Sequence, residues 1–200
     1  MTIRRIHSFV RLLALTPLAV AAACAPKIEI VPRAEWGWEP AERSLPEHTI
    51  SKITIHHGGS KYDDDRDTTE YLRALQKWSR SDKEWIDVPY HYVIDLEGRM
   101  FEGRPVRYPG DTNTSYDPRG HALIVVVGNY DNREFGEAQF ESLARLTAHL
   151  ALEYSIGPGD IKGHRDYAPG ETSCPGTNVY SHLEDGSLLR RVGELTGKRP

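Results

Sequence analysis

The stretch ITIHHGG, residues 53–59, is the segment that says most about the fold of this 200-residue chain. β-branched residues are frequent from Ile50 to His57, and Gly58 and Gly59 follow, so the pattern predicts a strand that ends in a turn. Successive side chains of a strand point to opposite faces of the sheet, so His56 and His57 should not both enter one site. The alternation of side chains along the strand does not show which of the two histidines enters the site.

Strand and helix patterns alternate outward from this stretch. Strands are predicted at 90–94, 99–102, 123–127 and 161–164, with a turn at 95–98 and a long loop over 105–121. Helices are predicted from an N-cap at Asp67 through Trp78, over 137–154, and between Ser187 and Leu195. The apolar run from Leu123 to Val127 indicates a central strand covered on both faces. Such alternation predicts an α/β layer structure.

The N-terminus has the composition of a secretory signal peptide. Three arginines precede a short apolar run from Leu12 to Ala23, which falls short of the about 20 residues that a spanning helix needs. We therefore expect residues 1–23 to be removed. Cys24 follows at once and resembles the lipidation site of a bacterial lipoprotein, with simple cleavage after Ala23 as the alternative.

These features predict an exported protein of the bacterial cell envelope, located in the periplasm and anchored to the membrane only through a lipid on Cys24. Residues 25–33 are expected to be a linker and entry segment, and residues 34–196 the folded domain. Removal of the leader lowers the formal net charge from −4 to about −7, because the leader carries three arginines and no acid. An acidic chain without a basic stripe argues against nucleic acid as a partner.

Cys174 is the single cysteine left in the folded part, and its thiol has three possible roles. It can be an inert buried group, a nucleophile of a Cys/His hydrolase, or a metal ligand. Two imidazoles, one from His56 or His57 and one from His164, would complete a zinc site with an open fourth position. Compact zinc motifs place ligands closer together in the chain, so spacing alone supports this site weakly.

Six motifs in order resemble a known family. They are IVPRAEWG at 30–37, IHHGG at 55–59, WIDVPYH at 85–91, FEGR at 101–104, VGNY at 127–130 and GHRDYAPGETSCPG at 163–176. This order is similar to that of peptidoglycan recognition proteins and of the zinc-dependent type 2 N-acetylmuramoyl-L-alanine amidases. The resemblance covers about residues 29–195 and implies one domain with a central mixed β-sheet flanked by helices. It also implies hydrolysis of the amide between N-acetylmuramic acid and L-alanine, with peptidoglycan or muropeptides as the partner.

Carried over by position, the resemblance assigns Zn²⁺ to His56, His164 and Cys174, and assigns catalytic roles to Tyr90 and Thr172. Three further residues are candidate substrate contacts: His57, Trp85 and Arg104. With His56 as the ligand, His57 can instead support the metal ligands or be a packed residue. Trp78 and Trp85 can line a groove or belong to the core. Members that only bind peptidoglycan commonly lack the cysteine ligand, so its presence favours an enzyme over the alternative, a non-catalytic peptidoglycan-binding module.

Two departures from the family pattern concern the site. Thr172 stands where phage-type amidases carry a lysine, and the loop at 105–121 has Asp111-Thr112-Asn113 instead of the usual pattern that contains a histidine.

Overall fold

A computed structural model describes residues 28–41 and 45–197 of the chain. The predicted signal peptide at 1–23 and the lipidation candidate Cys24 lie outside the described residues. The strands are β1 (Ile30–Val31), β2 (Lys52–His57), β3 (Tyr92–Ile94), β4 (Met100–Glu102), β5 (His121–Val126) and β6 (Ile161–Gly163). The helices are α1 (Thr68–Ser81), α2 (Glu137–Glu153), α3 (His164–Tyr167), α4 (Thr177–Glu184) and α5 (Ser187–Thr196), and a 3₁₀ turn covers Pro158–Asp160.

The six strands form one mixed sheet in the order β1-β4-β3-β5-β2-β6. Only β3 and β4 are antiparallel, as expected for the hairpin predicted at the turn 95–98, and the other pairs are parallel. Parallel neighbours require crossover connections. The chain from β2 to β5 contains α1, the chain from β2 to β6 also contains α2, and β3 reaches β5 through β4 and the loop after it. The predicted fold, a single α/β domain with a central mixed sheet flanked by helices, is confirmed.

One expectation about the entry segment is wrong. Ile30 and Val31, which lie inside the predicted linker at 25–33, form β1 and pair in parallel with Met100 and Phe101. The sheet therefore begins before residue 34. A strand of two residues leaves no periodic pattern, which is why composition did not reveal it.

Each face of the sheet packs on its own hydrophobic cluster. The larger cluster lies under α2, α4 and α5 and includes Ile53, Ile55, Ile124 and Val126 from the central strands. The second cluster includes Tyr71 and Leu72 from α1, together with Val93 and Val125. Because β5 is apolar toward both clusters, it is a fully buried central strand, as its continuous apolar sequence indicates.

Local signals explain where the elements begin. The carboxylate of Asp67 accepts a hydrogen bond from the backbone N–H of Glu70 at 2.9 Å, so the predicted N-cap of α1 is confirmed. β5 begins at His121, inside the loop predicted for 105–121 and two residues before Leu123. The strand predicted at 161–164 ends at Gly163, because His164 starts α3 and the Asp166 carboxylate accepts from Gly163 N–H at 2.8 Å. Within the described ranges, every helix is too short or too polar to cross a membrane.

Candidate metal centre and pocket

The sheet register brings two of the predicted site histidines together. Ile55 on β2 pairs with Gly163, the last residue of β6, so His56 on β2 lies next to His164, the first residue of α3. Their ring centroids are 4.6 Å apart. On the other side of β2, His56 pairs with Val125 of β5. Val125 belongs to the hydrophobic cluster below α1. The two histidines, 108 positions apart in the chain, are thus adjacent because of parallel pairing.

Cys174 reaches the same point from the loop that follows α3. Its Sγ lies 3.6 Å from Nδ1 of His56 and accepts a hydrogen bond from the backbone N–H of His57 at 3.4 Å. Gly176 makes this approach possible, because its φ is +84° and a Cβ there would lie 2.7 Å from Nδ1 of His57. Ligand atoms of His56, His164 and Cys174 all lie within 4.8 Å of one another, and all three residues are buried.

The chemistry of this triad suits a soft divalent cation. Burial holds the pKa of His56 well below its ordinary value and lowers the pKa of His164 to about 4, so both imidazoles are neutral near pH 7 and can donate a lone pair. Nε2 of His56 is buried and has no hydrogen-bond partner among the described residues. Two neutral imidazoles and one thiolate are a donor set that Zn²⁺ prefers.

Burial raises the pKa of the Cys174 thiol to about 12, so the thiolate is disfavoured without a cation beside it. The same burial argues against Cys174 as a free nucleophile, since reactive cysteines have lowered pKa values and partial exposure. The triad therefore fits a metal site better than a Cys/His hydrolase.

Tyr90 lies over the triad. Its ring centroid is 5.3 Å from that of His56, and burial raises the pKa of its phenol well above the ordinary value, so the hydroxyl stays protonated. The buried carboxylate of Asp87, in the same motif, holds the segment that leads to Tyr90. Asp87 accepts from Trp38 Nε1 at 2.9 Å, Gln76 Nε2 at 2.7 Å and Val88 N–H at 2.8 Å.

The structure does not bring Arg104 into the pocket, contrary to its expected role as a substrate contact. Its side chain is 1% exposed, and it donates to the carbonyl oxygens of Asp87 and Val88 at 2.9 Å and of Pro109 at 2.5 Å, while pairing with the carboxylate of Asp111. Arg104 is thus a buried brace between the Tyr90 segment and the loop after β4.

The other predicted site residues line a pocket of about 260 Å³ above the triad. Thr172 is among them, and its hydroxyl accepts from the backbone N–H of Cys174 at 3.1 Å, which orients the cysteine loop. His57 also lines the pocket, and its Nδ1 accepts from Tyr130 N–H at 3.2 Å. Trp85 forms part of the wall.

Sequence reasoning assigned no site role to Thr112, Thr114 or Glu171, which line the same pocket. Thr114 Oγ1 lies 2.7 Å from Nε2 of His164, and Thr112 Oγ1 lies 3.3 Å from the same atom. Glu171, which also lines the pocket, accepts from the backbone N–H of Ser115 at 2.8 Å and ties the two loops together. The length of the loop at 105–121 was the available signal, since long loops in compact domains are often functional.

Comparison with known proteins identifies the relatives of this fold. The family model described as Amidase_2, N-acetylmuramoyl-L-alanine amidase, matches residues 46–177. Peptidoglycan-recognition protein SC2 of Drosophila simulans is 28% identical over 164 residues, which is 80% of this chain and 87% of that protein. N-acetylmuramoyl-L-alanine amidase of Sus scrofa is 26% identical over 167 residues, which is 77% of this chain but 26% of that longer protein.

A solved structure shows the same fold. The ectodomain complex of peptidoglycan recognition proteins LCa and LCx, solved with bound tracheal cytotoxin, superposes with a TM-score of 0.68 at 25% identity and covers 78% of this chain and 94% of that one. This chain therefore shares its fold with proteins of which a complex with tracheal cytotoxin has been solved.

Proposed function

This chain belongs to the Amidase_2 family of N-acetylmuramoyl-L-alanine amidases, and we propose that it hydrolyses the amide between N-acetylmuramic acid and L-alanine in peptidoglycan with a bound zinc ion. One observation carries the proposal: buried ligand atoms of His56, His164 and Cys174 lie within 4.8 Å of one another at the base of a pocket. Several relatives are named as recognition proteins, which makes a binding module the competing function. The cysteine in the triad supports the enzyme, because a module that only binds has no need of a thiolate ligand.

The residues of the site have separate roles in the proposed amide hydrolysis. His56, His164 and Cys174 would hold the zinc ion. When bound, zinc lowers the pKa of a coordinated water to about 7 and polarises a carbonyl oxygen. The phenol of Tyr90, kept protonated by burial, can donate a hydrogen bond to the oxyanion that develops on the substrate carbonyl. One such donor contributes about 10²–10³ in rate.

Thr172 lines the pocket next to the cysteine ligand. Its hydroxyl oxygen already accepts from Cys174 N–H, so the threonine fixes the cysteine loop and presents its remaining hydrogen-bonding capacity to the pocket. We assign it to orientation of the attacking water or of a substrate group, a weaker role than that of Tyr90.

Peptidoglycan or muropeptides are the proposed partners. The solved LCa and LCx complex contains tracheal cytotoxin, and the present pocket is lined by a mixture of aromatic, hydroxyl and carboxylate side chains that suits a peptide with polar groups. We also propose that the protein acts in the periplasm and is attached to the membrane through a lipid on Cys24, which rests on the N-terminal sequence alone.

Incubation of the purified protein with isolated sacculi tests the proposal directly. We expect about one zinc ion per chain and release of free stem peptides that a chelator stops and added zinc restores. Cys174→Ser and His164→Ala should abolish release, whereas His149→Ala, on α2 and away from the pocket, should not.

Two outcomes would contradict the proposal in different ways. Binding of sacculi without release of peptides would identify a binding module. Release that survives the chelator but is lost in Cys174→Ser would identify a cysteine hydrolase, in which the thiol rather than a metal centre performs the reaction.

A further inference from the structure

The two imidazoles of the metal triad differ in their hydrogen bonds. Nδ1 of His56 faces the thiol of Cys174 at 3.6 Å, while its Nε2 is buried without a partner in the part of the chain that the structure describes. Nε2 of His164 lies 2.7 Å from the hydroxyl oxygen of Thr114. An imidazole that binds a metal through one nitrogen almost always donates the N–H of its other nitrogen to an acceptor, which fixes the tautomer and the ring orientation. Within the described ranges, only the ring of His164 has such a partner.

Ring packing does not decide which nitrogen of His164 is left for a metal. The ring contacts that of His56, with centroids 4.6 Å apart, and that of Tyr116, with centroids 5.1 Å apart. These contacts restrict the plane of the ring, but two orientations related by a half-turn about the Cβ–Cγ bond fill nearly the same space. The contact with Thr114 distinguishes them, because only one orientation places Nε2 at that hydroxyl.

The direction of this hydrogen bond follows from its neighbours. The hydroxyl of Thr114 also lies 2.8 Å from that of Thr112, so it can donate its hydrogen there and accept from Nε2–H of His164 with a lone pair. In the reverse direction, His164 would carry its hydrogen on Nδ1, which has no protein acceptor among the described residues. The arrangement that pairs every donor therefore has Nε2 protonated and Nδ1 with a free lone pair.

The loop that carries Thr114 is held in place by a second contact that does not involve the triad. The backbone N–H of Ser115 donates to the carboxylate of Glu171 at 2.8 Å, and its hydroxyl donates to the same carboxylate. The Thr114 hydroxyl can thus be removed while the loop keeps an attachment to the segment before the cysteine. Its effect on His164 is separable from an effect on the loop.

We propose that Thr114 is a positioning residue of the metal site: its hydroxyl accepts from Nε2–H of His164 and so leaves Nδ1 as the nitrogen that binds zinc. The inference rests on the zinc centre of the proposed function, and it adds the tautomer of one ligand and the residue that selects it. Because a hydroxyl is neutral, Thr114 orients the ring without adding a negative charge beside the thiolate of Cys174.

NMR of isotope-labelled histidine nitrogens tests the tautomer in the zinc-loaded protein. The signals of His164 are assigned by comparison with His164→Gln. We expect Nδ1 to have the chemical shift of a metal-bound nitrogen, and Nε2 to carry a hydrogen that exchanges slowly with water. In Thr114→Val, which keeps the shape of the side chain without its hydroxyl, that hydrogen should exchange faster. Zinc on Nε2 of the wild-type protein would overturn the inference, even if the valine variant does not fold.

Zinc affinity, measured by competition with a chromophoric chelator, tests the effect on the site. Loss of a hydrogen-bond partner of a metal-binding histidine costs about 10–100-fold in affinity, and we expect this loss in Thr114→Val. Thr114→Ser keeps the hydroxyl and should bind zinc nearly as tightly as wild type. Thr112→Val should weaken binding less, because Thr112 Oγ1 lies 3.3 Å from Nε2 of His164.

Ser115→Ala is the matched control. It removes a hydroxyl that holds the same loop to Glu171 and does not contact His164, so it should keep the zinc affinity of wild type. Thermal unfolding of each variant in the presence of a chelator shows whether the fold itself has been weakened.

The outcomes separate this inference from the proposed function. Equal zinc affinity in wild type and Thr114→Val overturns the inference and leaves the amidase standing. Equal losses in Thr114→Val and Ser115→Ala, or a loss that Thr114→Ser does not restore, also overturn it, because the hydroxyl of Thr114 would then have no specific effect on His164. A wild-type protein that binds zinc, with the expected loss in Thr114→Val, but releases no stem peptides from sacculi keeps the inference and rejects the amidase.

Discussion

Replacing Arg104 with alanine is expected to unfold the domain more easily rather than to remove a substrate contact. The guanidinium is 1% exposed and links the segment before Tyr90 to the loop after β4. It donates to Asp87 and Val88 on the Tyr90 side, and to Pro109 and Asp111 on the loop after β4. Alanine would leave three carbonyl oxygens and a carboxylate without their donor.

The size of the effect follows from these contacts. An unsatisfied buried acceptor costs about 1–3 kcal/mol, and removal of one partner from a buried ion pair costs about 3–5 kcal/mol. The side chain of Asp111 is 29% exposed, so water will solvate part of the freed carboxylate and the ion-pair contribution falls toward its lower limit. We expect a loss of about 3–5 kcal/mol in the free energy of unfolding, out of the about 5–15 kcal/mol typical of a domain.

Urea denaturation measures the loss, and thermal unfolding should show a midpoint lower by on the order of 10 °C. Arg107→Ala is the matched control, because that arginine is about half exposed and pairs with Glu47 at 3.2 Å on the surface. The control should change stability by less than about 0.5 kcal/mol. An Arg104→Ala protein with wild-type stability and lost affinity for muropeptides would refute the reasoning and return Arg104 to the substrate site.

Three further predictions concern individual side chains. His56→Ala should lose zinc while His57→Ala keeps it, because the His57 ring contacts Tyr130 and only its backbone reaches the thiol; metal analysis decides, and equal zinc in both variants would reject this assignment. Tyr90→Phe should keep zinc and lower kcat by about 10²–10³, and unchanged kinetics would place Tyr90 in the core. Burial lowers the pKa of His91 to about 3, below the about 6.5 of the unfolded chain, so stability present above pH 6.5 should fall as the pH drops toward 3, by up to about 1.4 kcal/mol per unit. His91→Gln should flatten that profile in urea titrations, and parallel profiles would contradict the account.

Elements with strong local signals were predicted closely from the sequence. Helix α1 has an N-cap aspartate and apolar residues at helical spacing, and helix α2 has a continuous apolar stripe over several turns. Strand β2 is a β-branched run closed by glycines. In each case one segment of the chain contains enough information to define the element, which is why tertiary structure did not change the assignment.

The remaining features depend on contacts between distant parts of the chain. β1 exists because Ile30 and Val31 find β4, and α4 is a short helix of eight residues whose position depends on the cysteine loop before it. The sequence makes Arg104 a candidate substrate contact, and only the structure shows the buried carbonyl groups to which its guanidinium donates. The metal-binding triad is difficult to recognise in the sequence because its members are separated by up to 118 residues.

The ligands of the candidate metal site come from parts of the fold that differ in how firmly they are held. His56 lies on β2, which is hydrogen-bonded on both sides within the sheet, whereas His164 and Cys174 follow the three-residue edge strand β6. Local opening of a protein begins at such edges and costs less than global unfolding. A metal ion bound to all three residues would therefore fasten the segment from α3 to the cysteine loop onto the centre of the sheet. Its removal should speed amide hydrogen exchange in that segment while β2 and β5 remain protected.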